Sequence, residues 1–264
     1  MGSGGFQLSK YYFDCVTPAG DAIIAYAANL NWQGLVLSYA STLIAPMDGA
    51  PYSNTSLERF VLPRGDATGL NWEHAGLEFR GRWASTDPRL QQDLLTTDDG
   101  VVAWNCQAHR AGASIACGNR AFEGLGYVEH LRLTLAPWRL PIHCLRWGRF
   151  ISATDSLVWI QWRGPRPLDL LFHNGVMVPA ATIEDRRVCG PNFALEMPRP
   201  RVLRDGSLLT TALASLQRFA SFFPRSILQT QETKWLSQAT LRTPAGDSSG
   251  FAIHELVLFS EGAA

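Results

Sequence analysis

The residue types and spacings that could do chemistry concentrate between Trp104 and Phe150. Tyr127 and Glu129 stand two apart in Gly124-Leu125-Gly126-Tyr127-Val128-Glu129-His130. The alternation there predicts a strand, so both side chains leave the same face. A phenol and a carboxyl projecting together into a tryptophan-lined cavity form a proton-transfer pair. Apolar surroundings favour the neutral carboxylic acid near neutral pH, which is the form that donates a proton. Upstream, Trp104 and Cys106 share one strand face, and downstream lie Trp138 and Arg146-Trp147-Gly148-Arg149-Phe150. Gly124 and Gly126 permit a tight turn or a close backbone approach. Glu129 is the candidate acid and Tyr127 its relay, while Trp104, Trp147, Trp72 and His130 are candidate substrate contacts.

A second reading stays open beside this one. A Tyr-x-Glu on a strand also suits a solvated face or a barrel rim. Arg132, Arg146 and Arg149 are near in sequence, and an ion pair with one of them would keep Glu129 ionised and remove the acid. The six histidines form neither H-x-x-x-H nor H-E-x-x-H, so no metal site is expected. Trp72-Glu73-His74 and Ile253-His254-Glu255 each put a histidine and a glutamate on opposite faces of a strand. His254, flanked by Phe251, Ile253 and Leu256, is the better candidate for a second acid–base group. Cys106 has no histidine beside it and reads as a small buried hydrophobe. No G-x-S-x-G elbow, P-loop or Rossmann glycine pattern occurs.

Strands must position these residues, and period two runs through most of the chain. The first half is expected to hold strands at 11–16, 22–29, 33–40, a pair across 70–80 about Gly76, 101–108, 112–118 and 127–135. The second half continues at 145–152, 156–163, 168–172, 176–183, 201–203, 232–242 and 251–259, with Arg204-Asp205-Gly206-Ser207 as a hairpin turn. Leu209, Leu213, Leu216, Phe219, Ala220 and Phe223 recur at helical spacing before Pro224 and predict one helix at 210–223. An all-β chain of this kind suggests lipocalin-like (calycin) barrels, as two packed barrel-like halves with one late helix. The halves are expected at residues 6–136 and 137–262, with the boundary near Ala136-Pro137-Trp138. No repeat is plain enough in the sequence to establish a duplication.

Composition excludes several classes. The chain has 264 residues, 23 basic and 23 acidic side chains, 46% hydrophobic residues, only 17% charged ones and 9 tryptophans. That balance excludes a disordered chain, and the absence of a basic surplus argues against nucleic acid as a partner. Many tryptophans beside few charges point to an apolar small molecule instead. No run approaches the roughly 20 apolar residues of a membrane span. Five scattered cysteines without a C-x-x-C pair exclude a zinc ribbon and fit reduced thiols in a cytoplasmic protein. Met1-Gly2-Ser3-Gly4-Gly5 has neither the charged nor the apolar region of a signal peptide and reads as a cloning remnant.

The order W-x-C, G-x-G-Y-x-E-H, a downstream tryptophan and W-G-R-F resembles the carotenoid hydratase (hydroxyneurosporene synthase) superfamily. That lipocalin-like group is also similar to tocopherol cyclase and the β-barrel Diels–Alderases. The resemblance is clearest over 100–160, and Ser248-Ser249-Gly250-Phe251-Ala252-Ile253-His254-Glu255 adds to it. It implies two packed lipocalin-like barrels, no organic cofactor and a hydrophobic polyene, isoprenoid or polyketide-like substrate. The reaction implied is proton-initiated hydration or cyclisation, or a pericyclic ring closure. The motif tyrosine maps to Tyr127, the upstream aromatic to Trp104, and the motif acid to Glu129, where the hydratases usually carry Asp. His130 stands where an asparagine followed by Trp-Gly is common. A non-catalytic carrier of a lipophilic molecule is the alternative from another class.

Overall fold

The computed structural model describes residues 5–66, 68–208, 210–211 and 224–259. Its contacts divide the chain into two compact units, Met1–Ala136 and Pro137–Ala264. The first holds β1 (Gln7–Val16), β2 (Ala22–Trp32), β3 (Leu35–Ala45), β4 (Tyr52–Ser56), β5 (Arg64–Asp66), β6 (Gly69–His74), β7 (Phe79–Ala84), β8 (Leu90–Thr97), β9 (Gly100–Cys117) and β10 (Arg120–Leu133). These form one sheet in the order β4-β3-β2-β1-β10-β9-β7-β6-β5, with β8 also on β9.

The sheet curls into a half-barrel. Phe13 of β1 stacks on Trp72 of β6 at 5.4 Å although β10, β9 and β7 lie between those strands in the sheet. This concave face is filled by Phe13, Trp72, Phe79, Trp83, Ile115 and Val128. Each such side chain contributes about 1.5–3 kcal/mol by leaving water. The convex face is buried as well, through Tyr12, Asp14, Tyr26, Trp104 and Tyr127. Burial on both faces explains why β2 begins as a continuous apolar run, Ala22 to Ala28, rather than a clean alternation.

The second unit holds β11 (Cys144–Ser152), β12 (Ser156–Arg163), β13 (Leu168–His173), β14 (Val176–Met177), β15 (Thr182–Ile183), β16 (Arg187–Gly190), β17 (Phe193–Glu196), β18 (Arg201–Ser207), β19 (Gln231–Thr243) and β20 (Gly246–Leu258). Their order is β14-β13-β12-β11-β20-β19-β17-β16-β15, with β18 also on β19. Its concave face gathers Phe150, Trp159, Leu171, Val188, Leu195 and Ala252. Strand for strand this is the wiring of the first unit.

A duplication absent from the plain sequence is therefore visible in topology, and it extends to register. A Cβ on Gly124 would strike the carbonyl of Val16, and one on Gly250 would strike the carbonyl of Ile151, with the same backbone atoms beyond. Superposing those glycines aligns Gly124-Leu125-Gly126-Tyr127-Val128-Glu129 with Gly250-Phe251-Ala252-Ile253-His254-Glu255. One matched glycine and one matched glutamate are too few to stand out in a sequence self-comparison.

Four local expectations change. The strands expected at 101–108 and 112–118 are one strand, β9, bent by register shifts opposite Gly126–Glu129 rather than broken. Arg204-Asp205-Gly206-Ser207 is no hairpin turn but the end of β18, paired with Lys234, Thr233, Glu232 and Gln231. The expected strand at 33–40 begins late, because Gln33 and Gly34 take φ values of 49° and 79° and make the hairpin turn. The stretch at 176–183 splits into β14 and β15. The helix expected at 210–223 falls largely outside the described residues, and the α-helix seen is α1 (Arg225–Leu228), behind Pro224.

Candidate functional site

Tyr127 and Glu129 leave the convex face of β10, as their spacing requires. The Tyr127 hydroxyl donates to Glu129 Oε2 at 2.8 Å, and the Trp104 indole Nε1–H donates to the same oxygen at 2.6 Å. Trp104 reaches it from β9, where Cys106 is the residue directly opposite Glu129. Tyr127 is fully buried, Trp104 is 1% exposed, and Glu129 is half-buried. Both donors favour the charged carboxylate, whereas half-burial opposes it.

The neighbours hold their protons. Burial first, then the neighbouring Glu129 carboxyl, pushes the Tyr127 phenol well above its ordinary value, so it remains a donor. Burial likewise pushes the Cys106 thiol well up, and its neighbour Tyr127 only partly offsets this. Cys106 is thus an inert buried thiol, as its sequence surroundings suggest.

Strand pairing brings in two residues far from Glu129 in the sequence. On β1, Tyr12 lies opposite Glu129 and Asp14 opposite Tyr127. The Tyr12 hydroxyl donates to Asp14 Oδ2 at 3.0 Å, and Asp14 is completely buried. The Tyr12 and Tyr127 rings meet edge to face at 6.0 Å, and Tyr12 meets Tyr26 of β2 at 5.5 Å. Two carboxyl–tyrosine pairs thus stand side by side on one face. Tyr12-Phe13-Asp14 spells the same aromatic-x-acid spacing as Tyr127-Val128-Glu129, a signal that period-two reading could have picked up.

The other sequence candidates fall elsewhere. Trp72 and His130 lie on the concave face, on the other side of the sheet from Glu129. His130 stacks on Tyr11 at 4.1 Å and pairs with the Ser9 hydroxyl at 2.8 Å. Burial, helped by Arg132, pushes its pKa down to about 4. Trp147 and His254 belong to the second unit. His254 faces inward, stacked on Trp235 at 5.1 Å and hydrogen-bonded to the Ser237 hydroxyl. Burial brings its pKa to about 4, so near neutral pH it is an uncharged ring rather than an acid. Arg146 pairs with Asp185 at 2.7 Å, and Arg149 donates to the Phe251 carbonyl. Arg132 is three residues past Glu129 and points from the other face.

Trp147 accompanies a different cluster, on the convex face of the second unit. Lys234, one of two lysines in the chain, is 1% exposed and lies 5.6 Å from the Trp147 ring centre. Its ammonium pairs with Glu255 and, at 3.5 Å, with Glu232, which also binds Arg204 at 2.6 Å. Two cations and two carboxylates balance there. Among the described residues, no group of three or more His, Cys, Asp or Glu is arranged to hold a metal ion. Nor is any helix among them long and apolar enough to cross a membrane.

Two curled antiparallel sheets of identical wiring define a lipocalin-like protein of two halves. Kievitone hydratase from Nectria haematococca shares this fold over 97% of this chain and 89% of its own, at 10% identity and a TM-score of 0.56. CghA with Sch210972 matches over 97% and 89%, at 10% identity and a TM-score of 0.60. A putative AttH from Nitrosomonas europaea matches over 96% and 92%, at 10% identity and a TM-score of 0.54. No protein-family model matches the sequence, and no curated protein matches it either.

Proposed function

We propose that this chain is a cofactor-independent enzyme of the hydratase or cyclase type that binds a hydrophobic, unsaturated small molecule against the convex face of its first unit. The observation that carries the reading is the convergence of Trp104 Nε1–H and the Tyr127 hydroxyl on one oxygen of Glu129. Those donors are in place where negative charge appears when Glu129 gives up a proton, which is how a preorganised site favours the transition state over the resting acid.

In the proposed reaction Glu129 transfers its proton to a carbon–carbon double bond, leaving a carbocation on the substrate and a carboxylate held by Trp104 and Tyr127. In hydration, water adds to the cation and its surplus proton returns to Glu129. In cyclisation, a second double bond closes on the cation and the proton lost afterwards returns to the same carboxylate. The π-faces of Tyr12, Tyr26, Trp104 and Tyr127 suit a cationic intermediate, each contact stabilising it by ~0.5–2 kcal/mol. Polyene, isoprenoid and polyketide-like skeletons satisfy this chemistry. The fold shared with a kievitone hydratase agrees with it. A cytoplasmic location fits the five cysteines, none of which is in a disulfide.

The test is Glu129→Gln, which keeps the shape and both donors' surroundings but holds no transferable acid proton. Turnover of a polyene or polyketide substrate should fall by more than about a hundredfold. Near-normal turnover overturns acid catalysis and leaves ring closure guided by shape alone.

A further inference from the structure

The concave face of the first unit carries a polar locus that the Glu129 site does not use. Alternation along β6 points Leu70, Trp72 and His74 inward. Trp72 is 3% exposed and His74 4%, yet the Trp72 Nε1 and both ring nitrogens of His74 have no hydrogen-bond partner in the protein. Buried polar atoms are otherwise almost always paired, with protein, water or ligand. Here three of them come from successive inward positions of one strand, with ring centres 5.8 Å apart.

Their surroundings are aromatic. Phe60, half-buried, meets both rings at an angle, 5.8 Å from Trp72 and 5.4 Å from His74. Phe79 and Phe13 flank Trp72 at 5.0 and 5.4 Å. Burial lowers the His74 pKa, with Glu58 acting against it, so the ring is neutral. A neutral imidazole offers one N–H and one bare nitrogen, and the indole offers one N–H. The corner therefore presents two donors and one acceptor among aromatic walls.

We propose that this corner binds a planar, apolar molecule carrying a hydroxyl group. The hydroxyl oxygen accepts from Trp72 Nε1–H, its proton is donated to the bare nitrogen of His74, and its ring packs against Phe60. The site is separate from Glu129, which leaves the opposite face of the sheet, and it stands or falls independently of the proposed reaction.

Equilibrium dialysis of the intact protein against 2-naphthol and against naphthalene tests it. One 2-naphthol should bind per chain, with naphthalene at least tenfold weaker. Trp72→Phe and His74→Phe should each weaken 2-naphthol at least tenfold, towards the naphthalene value, while Glu129→Gln leaves it unchanged. His74→Phe should also melt no lower than the parent, because it removes orphaned polar atoms at similar volume; it keeps the test alive if Trp72→Phe fails to fold. The proposal is overturned if nothing binds saturably, which would mean that water alone satisfies these atoms. Equal affinity for the two probes, unchanged binding in both β6 variants, or a parallel loss in Glu129→Gln overturns it too.

Discussion

Glu129 and Glu255 occupy the same register position in two identically wired sheets, and their partners differ in kind. Glu129 accepts from two neutral donors, Trp104 and Tyr127, whereas Glu255 pairs with the ammonium of buried Lys234. The positions facing them across the neighbouring strand are Cys106 and Lys234 respectively. A fixed cation opposite Glu255 keeps that carboxyl ionised, while the uncharged thiol opposite Glu129 does not. One copy of the duplicated glutamate is thereby suited to exchanging a proton and the other to holding the sheet together.

The two donors to Glu129 can be separated by substitution. Trp104→Phe and Tyr127→Phe each remove one hydrogen bond and keep a ring. Each should lower kcat by about a hundredfold with little change in KM, since the contact matters most when Glu129 becomes charged. The double variant should cost less than the product of the two, because both donors act on one oxygen. Steady-state kinetics of the three variants checks this, and an effect confined to KM would contradict it.

Lys234→Met addresses the other copy. It leaves Glu232 and Glu255 without the cation between them, in a position 1% exposed. Removing one partner of a buried ion pair costs about 3–5 kcal/mol. Urea denaturation should show a loss of that order, and replacing Lys234 and Glu255 together by apolar residues should recover part of it. A loss below about 1 kcal/mol would place the pair among weak surface salt bridges.

Strand type and the shared face of Tyr127 and Glu129 were legible from spacing, whereas the hydrogen bond from Trp104 to Glu129 was not. Alternation separates two faces of a strand but does not say which is concave. That is why Trp72 could be grouped with Glu129 although the curl of the sheet sets it on the other side; His130, next to Glu129, is on the opposite face by alternation itself. The pairing of Tyr12 and Asp14 with Glu129 and Tyr127 joins residues more than 110 positions apart. Such register depends on long-range contacts that no local pattern encodes. The break expected between 108 and 112 is a bulge within β9, because bulged strands and strand ends favour the same small residues.

Gly126 tests the close approach that the motif glycines make possible. A Cβ there would overlap the Asp14 carbonyl and lie 3.0 Å from Cδ1 of Trp83, whose indole donates to that same carbonyl at 2.8 Å. Gly126→Ala should destabilise by about 1–3 kcal/mol through overpacking. It should also reduce turnover, since Asp14 is opposite Tyr127. Gly112→Ala, at a position with nothing within 4 Å, is the control. A thermal melt with no difference between the two would contradict the packing account.

The buried histidines give the fold a defined acid limit. His254 has its pKa lowered from 6.5 to about 4 by burial, and His130 is lowered to about 4 in the same way. Between those values the unfolded chain binds more protons than the folded one, so stability is complete above pH 6.5 and declines as the pH falls towards 4. Asp155, held at about 2 with hydrogen bonds from Thr154 and His173, gives up its contribution only in more acidic solution, below its ordinary 3.8. His254→Gln removes the titrating ring and keeps a polar partner for the Ser237 hydroxyl. Its Tm should therefore drop less than that of the parent between pH 6.5 and 4.5, even if it begins lower. Parallel Tm curves for the two proteins over that interval would show that His254 does not set the limit.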